Sequence, residues 1–368
     1  MNKKEIAEIK KTLKPSAGCV QHIRCFHITM DKQCVETPVT AVARMDEEDL
    51  FNYLSLFKST LTGALGKKLQ NLSDPKEDIQ NRLYSTLKGE MKDDALVKEI
   101  CDSIRDNYVS AEDYFIMLMF GKYDIPVKNG NDEDEGESND VYNYIIGCIC
   151  PMKTPKGGLS YDRVNNTLTE SFPPQLVSAP AFGFLFPAFH DRAADVNSIL
   201  SYCKSNSDEY ANMYENVLGC KSPISSEYQK ASFAELADKA FGGGCSFNEA
   251  AGLQASLCDI IAETEELGIP ADGLTINKDK LTAVLEENYA PDIDGFSERY
   301  DELLGDQLMT IQNIVDPKKT VIKLDEISII SSNDLMRLIS MREIDGEKCL
   351  VIRTNGMTID VNGMSTSD

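Results

Sequence analysis

No stretch of eighteen apolar residues runs uninterrupted through the 368-residue chain, and no apolar segment follows the lysines near its start. The first absence argues against a membrane-spanning helix and the second against a secretory signal. Basic side chains are also scarce. Only 37 stand against 60 acidic ones, and the formal net charge of −23 repels phosphate backbones, which argues against general nucleic-acid binding. The eleven cysteines are an odd number in a chain without secretory features, so they fit reduced thiols in the cytoplasm better than a disulfide framework. Phosphate-cradling loops are missing too: Gly63-Ala64-Leu65-Gly66-Lys67-Lys68 lacks the required spacing and final Ser/Thr, and no lysine follows Gly242-Gly243-Gly244.

What is present is ample apolar material, 42% of residues, enough for the cores of two or three domains. Lys3, Lys4, Lys10, Lys11 and Lys14 outnumber Glu5 and Glu8 and predict a short solvated amphipathic helix. Two β-rich runs between residues 19 and 43 flank residues 30–33 and predict a hairpin. Carboxylates at 46–49 open a helix whose Leu50, Leu54, Phe57, Leu61 and Leu65 face a core, ending near Gly66. A second helical region covers 74–107 with a break near Gly89. Residues 114–120 and 141–150 are too apolar and too short for anything but buried strands. Between them, 129–139 is an acidic loop with nothing to bury. Short strands at 159–162 and 167–169 surround an Asn165-Asn166 turn. After Gly219 come four helices, at 226–241, 248–266, 278–288 and 295–304. From Thr320 the pattern is β again, punctuated by Asp345-Gly346 and Asn355-Gly356. The expectation is an α+β fold: a helix-flanked central β-sheet over 1–219, a helical segment over 220–315 and a C-terminal antiparallel β-meander over 316–368.

The densest chemistry follows an aromatic strand. Phe182, Phe184 and Phe186 alternate up to Pro187, and His190, Asp191, Arg192 and Asp195 follow at once. If the strand ending in Asp162 neighbours this one, Asp162, Asp191, Arg192 and Asp195 converge, and paired carboxylates with an arginine can hold a cation, orient a water or clamp an anion; His190 could then act as a base. The structural reading competes: Asp191 caps a helix beginning there, Arg192 pairs with Asp195 one turn on, and Asp162 precedes a turn. On that reading Asp191→Ala is the more destabilising of the two aspartate replacements.

A second cluster, Cys19, His22, Cys25, His27 and Cys34, packs five soft donors into sixteen residues. Cys19, Cys25 and His27 are the candidate zinc ligands, with Cys34 reaching them only across the hairpin. The segment alternates like a strand rather than forming a knuckle, so no metal is expected. Cys148-x-Cys150 reads as buried packing.

Several stretches, NKKEIAEIKK, LTGALGKKLQNL, VYNYIIGCICP, GLSYD, GFLFPAFHDRAAD and DGEKCLVIRTNGMTIDVNG, resemble a family of proteins from clostridia and related Gram-positive bacteria catalogued as a domain of unknown function. The resemblance implies a bacterial cytoplasmic protein and brings no activity, cofactor or substrate with it. With no complete catalytic set, the leading expectation is a binding or accessory protein whose acidic surface suits a basic protein partner. The alternative is a small-molecule or phosphoester hydrolase built on Asp162, Asp191, Arg192, Asp195 and His190. No cofactor is expected, and the sequence prescribes no oligomeric state.

Overall fold

The apolar runs become strands buried on both faces. In the computed structural model, which describes residues 1–126, 140–153, 156–171, 174–205, 207–354 and 356–365, the chain divides into two units, Met1–Ser225 and Ser226–Asp368. The acidic segment 129–139 and Asn355 lie outside the described residues. The first unit runs α1 (Lys3–Thr12), β1 (Val20–Ile28), β2 (Cys34–Thr37), α2 (Glu47–Ser59), β3 (Leu69–Ser73), α3 (Glu77–Lys88), α4 (Asp94–Asn107), β4 (Tyr114–Asp124) and β5 (Val141–Lys153). It continues with β6 (Gly158–Asp162), β7 (Thr167–Ser171), β8 (Leu176–Val177), β9 (Phe182–Phe186), β10 (Ala188–His190), β11 (Ala193–Asp195) and β12 (Ser198–Cys203).

One antiparallel sheet orders these strands β2-β1-β4-β5-β9-β12-β3, with β8 paired to the far end of β5. Its two faces belong to different cores. On one, Phe26, Ile116, Leu118, Ile145 and Phe184 pack with Leu83 of α3 and Ile100 and Ile104 of α4. On the other, Cys25, Met117, Ile146 and Leu185 pack with Ile6 and Ile9 of α1 and Leu54 and Phe57 of α2. A strand covered on both sides has no solvent face to keep polar, which is why residues 114–120 and 145–150 read as unbroken apolar runs.

Glycines make room for rings between the central strands. Gly147 lies opposite Phe184 and Gly121 opposite Tyr144, and a Cβ on either glycine would fall inside the ring. Two buried tyrosine hydroxyls of β5 find partners at the sheet's margins. Tyr144 meets Thr12 Oγ1 at 2.7 Å, and Tyr142 donates to the Pro187 carbonyl at 2.5 Å.

The α+β class holds, with four expected features revised. The first helix is not simply solvated: Glu5, Ile6 and Ile9 are buried, and Asn2 and Glu5 form a reciprocal capping box. The helix opened by Asp46 ends at Ser59, before Gly63 and Gly66 with φ of +157° and +75°; Leu61 and Leu65 are still buried, in the turn leading to β3. Strands β3 and β12 were not foreseen. The residues after Pro187 form a hairpin, not a helix.

The second unit contains α5 (Ser226–Ala240), α6 (Phe247–Glu266), β13 (Thr275–Ile276), α7 (Lys278–Glu287), α8 (Ile293–Leu303), β14 (Met309–Thr310) and α9 (Ile311–Ile314). The four longer helices match the sequence expectation closely, and Leu236, Leu257, Leu281, Leu285 and Phe296 are fully buried. The C-terminal strands pair antiparallel as successive hairpins: β15 (Lys319–Leu324) with β16 (Ile327–Ser332), β17 (Ile339–Ile344) with β18 (Glu347–Ile352), and β19 (Asp360–Val361) with β20 (Met364–Ser365). Asp345-Gly346 makes the expected tight turn, with φ of +54° and +82°. No helix among the described residues is long and apolar enough to cross a membrane.

Close strand packing makes Gly183 the least replaceable core glycine. A Cβ there would stand 2.6 Å from Thr60 Cγ2 and 2.8 Å from the Gly147 carbonyl oxygen, and the backbone cannot swing aside as a ring can. Gly183→Ala is expected to lower stability by about 1–3 kcal/mol. Gly158→Ala, where nothing lies within 4 Å, should change it by less than about 0.5 kcal/mol. Urea unfolding of both variants checks this, and equal midpoints would refute the packing argument.

Candidate functional site

The aromatic strand β9 ends at a cis Phe186–Pro187 bond, and the chain then turns back on itself through β10 and β11. His190 pairs with Ala193, so Asp191 and Arg192 form the two-residue turn, with φ of +47° and +59°. Two successive left-handed residues define the turn that matches the twist of a tight hairpin. Neither is glycine, and the turn is held from outside the hairpin through the Asp191 backbone and the Arg192 side chain.

The holding element is α1. Glu8 accepts two hydrogen bonds from Arg192 Nη1, at 2.8 and 2.9 Å, while Arg192 Nη2 donates to the Pro126 carbonyl at 2.7 Å. Tyr123 Oη also donates to Glu8, at 2.8 Å. One turn earlier, Glu5 accepts from the Asp191 backbone N–H at 2.9 Å through one oxygen and from the Asn2 N–H at 2.7 Å through the other. Glu5 thus caps its own helix and latches the hairpin turn. With its side chain only 8% exposed, it is shielded enough for these bonds to matter.

His190 stands beside this latch. Its Nδ1 lies 3.8 Å from Glu5 and its Nε2 lies 3.5 Å from Asp191, whose side chain is 88% exposed. Among the described residues, Glu5, His190 and Asp191 are the one group able to offer three metal-ligating atoms within 4.8 Å of one another. Their chemistry is mixed oxygen and nitrogen, the set that suits a borderline divalent ion. Both oxygens of Glu5 are already accepting backbone N–H groups, however, and the group sits at the positive end of α1, which favours anions over cations. The arrangement works as a latch.

The other candidates are elsewhere. Asp162 does not approach the hairpin, because β6 pairs only with β7 while β9 is flanked by β5 and β12. Its carboxylate instead accepts from Asn165 Nδ2 and from the backbone N–H groups of Val164 and Asn165, and these bonds hold it below the usual carboxylate range. Asp195 does not pair with Arg192; it accepts from the Asn197 N–H at 3.0 Å and from Ser198 Oγ at 2.5 Å, closing the turn into β12. Asp191 caps no helix.

The thiol cluster is divided by the sheet. Cys25 faces the α1–α2 core, whereas Cys34, opposite Ile28, packs against the α3–α4 core, so the two cannot share an ion. Burial pushes the Cys25 thiol up to about 12, which keeps it protonated at neutral pH. His27 meets Asp113 at 3.1 Å and Phe115, and Cys19 precedes β1. Cys148 and Cys150 are buried side by side with sulfurs 3.7 Å apart.

Glu5, Glu8, Tyr123 and Pro126 are the site residues that sequence reasoning missed. The usable signal was local: Asn2-x-x-Glu5 is a capping-box spacing, and Ile6, Ile9 and Leu13 recur at helical intervals. Both mark α1 as a docked helix with a fixed N-terminus.

Fold and site define a mixed α+β protein whose central polar cluster joins an N-terminal helix to a hairpin. A sequence profile described as a domain of unknown function, DUF4317, matches residues 1–364, and the chain belongs to this family. A comparison with curated proteins finds no match.

The latch reverses the expected order of aspartate effects. Asp191→Gly should leave stability unchanged or raise it slightly, because glycine relieves a positive φ and little else is lost. Asp195→Ala should cost about 1 kcal/mol through its two hydrogen bonds, and Arg192→Ala about 1–3 kcal/mol by stranding Glu8. Thermal melts of the three variants test this; a larger loss for Asp191→Gly than for Asp195→Ala would restore the helix-cap reading.

Proposed function

We propose that the protein is a cytoplasmic binding or accessory protein that recognises a basic protein partner. The observation that carries this reading is the charge at the helix ends of the second unit. In α6 and α7 the last turns hold no basic residue, and Glu263, Glu265, Glu266, Glu286 and Glu287 are exposed there without a side-chain partner among the described residues. A helix C-terminus already carries a partial negative charge, so carboxylates there cost stability. Such unfavourable charge, kept where lysine or arginine would be the stabilising choice, suits a surface whose counter-charges arrive on another molecule. The eleven free thiols fit a reducing compartment.

The hydrolase alternative has less support. It requires Asp162, His190, Asp191, Arg192 and Asp195 in one pocket, and the first lies on a separate hairpin while Arg192 and Asp195 are engaged in structural bonds.

Replacing Glu263, Glu265 and Glu266 together by glutamine tests the binding reading. The variant should melt about 1–2 °C higher, since the repulsion with the helix end is removed. It should also bind a fluorescent arginine-rich peptide at least fivefold more weakly at low salt. Tighter folding with unchanged peptide affinity would mean that the acidic ends serve no partner.

A further inference from the structure

We propose that the first unit holds a binding site for a small organic oxyanion, a carboxylate or phosphate ester with an apolar body. The site is a depression of about 370 Å3 between the start of β1, the segment 39–42 and the α3–α4 connection. Its volume lies in the range of small-molecule sites.

The lining reverses the sign of the chain. Against a net charge of −23, Arg24, Arg44, Lys92 and the imidazole of His22 face this space with Asp94 as the single carboxylate. Glu36, Asp94 and Glu90 offset Arg24 and Lys92, so the positive charge left over in the depression is that of Arg44. The cationic groups are not equivalent. Arg24 is a fixed part of the wall, its guanidinium bound to Glu36 at 2.7 and 2.8 Å and to Asp94 at 2.9 Å. Lys92 is engaged by Glu90.

Arg44 and His22 are uncommitted. Arg44 is exposed and its guanidinium forms no ion pair or hydrogen bond among the described residues. His22 stacks on Phe120 with ring centroids 6.3 Å apart, and both its nitrogens are without a hydrogen bond among the described residues. An arginine fork and an imidazole that line one depression are both suited to a carboxylate or phosphate. The half-buried Val39 and Val42 supply apolar surface beside it, with Ile23 and Met91 buried in the same wall, and a bare inorganic ion would leave that surface unused.

Calorimetry on the full chain at low salt tests the assignment with phenyl phosphate, benzoate and inorganic phosphate as probes. One aryl anion per chain should bind, at least tenfold more tightly than inorganic phosphate, and whichever aryl probe wins identifies the head group. Arg44→Glu should weaken it at least tenfold without lowering the melting temperature of the free protein. Lys323→Glu, an exposed position in the second unit with the same charge change, should leave affinity unchanged. Absence of aryl-anion binding at millimolar concentration overturns the proposal. So does equal binding of inorganic phosphate, or an affinity indifferent to Arg44→Glu.

Discussion

The first unit depends on an antiparallel sheet that is covered on both faces. Antiparallel sheets commonly keep one face wet, and their strands then alternate; here β4, β5 and β9 have helices or turns on either side and lose that alternation. Once both faces are dry, polar groups on the central strands have only the protein to pair with, and while the buried Tyr114 hydroxyl and Asn143 Oδ1 lack a hydrogen-bond partner among the described residues, others find one. The backbone does so through the ladder. Tyr142 and Tyr144 do so by reaching Pro187 and Thr12 at the margins, which ties the sheet interior to the hairpin and to α1.

That tie explains why the polar cluster lies where it does. Pro187 ends β9 and cannot donate to a ladder, so the chain leaves the sheet and must find new partners for its backbone. β10 and β11 pair with each other, and the turn N–H of Asp191 is satisfied by Glu5. Arg192 carries the second contact, using both its guanidinium Nη atoms on Glu8 and Pro126. Charged groups that could have served chemistry are thus consumed in fixing one helix on one turn. An arginine held by a carboxylate and a carbonyl is a poor catalyst and an effective clamp.

Much of this architecture was legible in the sequence, and what was not has identifiable causes. Long apolar runs gave β4 and β5, and helical patterns separated by Gly242-Gly243-Gly244 and by Pro291 gave the four longer helices of the second unit. β3 and β12 are short edge-side strands whose residues, Leu69–Ser73 and Ser198–Cys203, mix polar and apolar character enough to pass for helix or loop. The hairpin after Pro187 was misread for a sharper reason. An aspartate followed four residues later by another fits a helix start as well as a turn, and the deciding feature is positive φ at Asp191 and Arg192, which the sequence does not announce without a glycine or asparagine. The partners Glu5 and Glu8 stand more than 180 residues earlier, beyond any local pattern.

Charge makes the remaining distinction. A chain with 60 acidic side chains can satisfy only some of them locally, and the satisfied ones are structural: Glu5, Glu8, Glu36, Asp162 and Asp195 each accept identified hydrogen bonds. The others are spread over the chain, at helix N-termini such as Glu47, Glu48, Glu77 and Asp78 as well as in the last turns of α6 and α7, and only in those last turns does the helix charge oppose them. Arg44 shows the same contrast with opposite sign, a free guanidinium in a chain where carboxylates are abundant and every other cation of that depression has found one. Arg163, Arg337, Arg342 and Arg353 also form no ion pair among the described residues, so what distinguishes Arg44 is not the missing carboxylate but its place in a concave wall beside Arg24, Lys92 and His22.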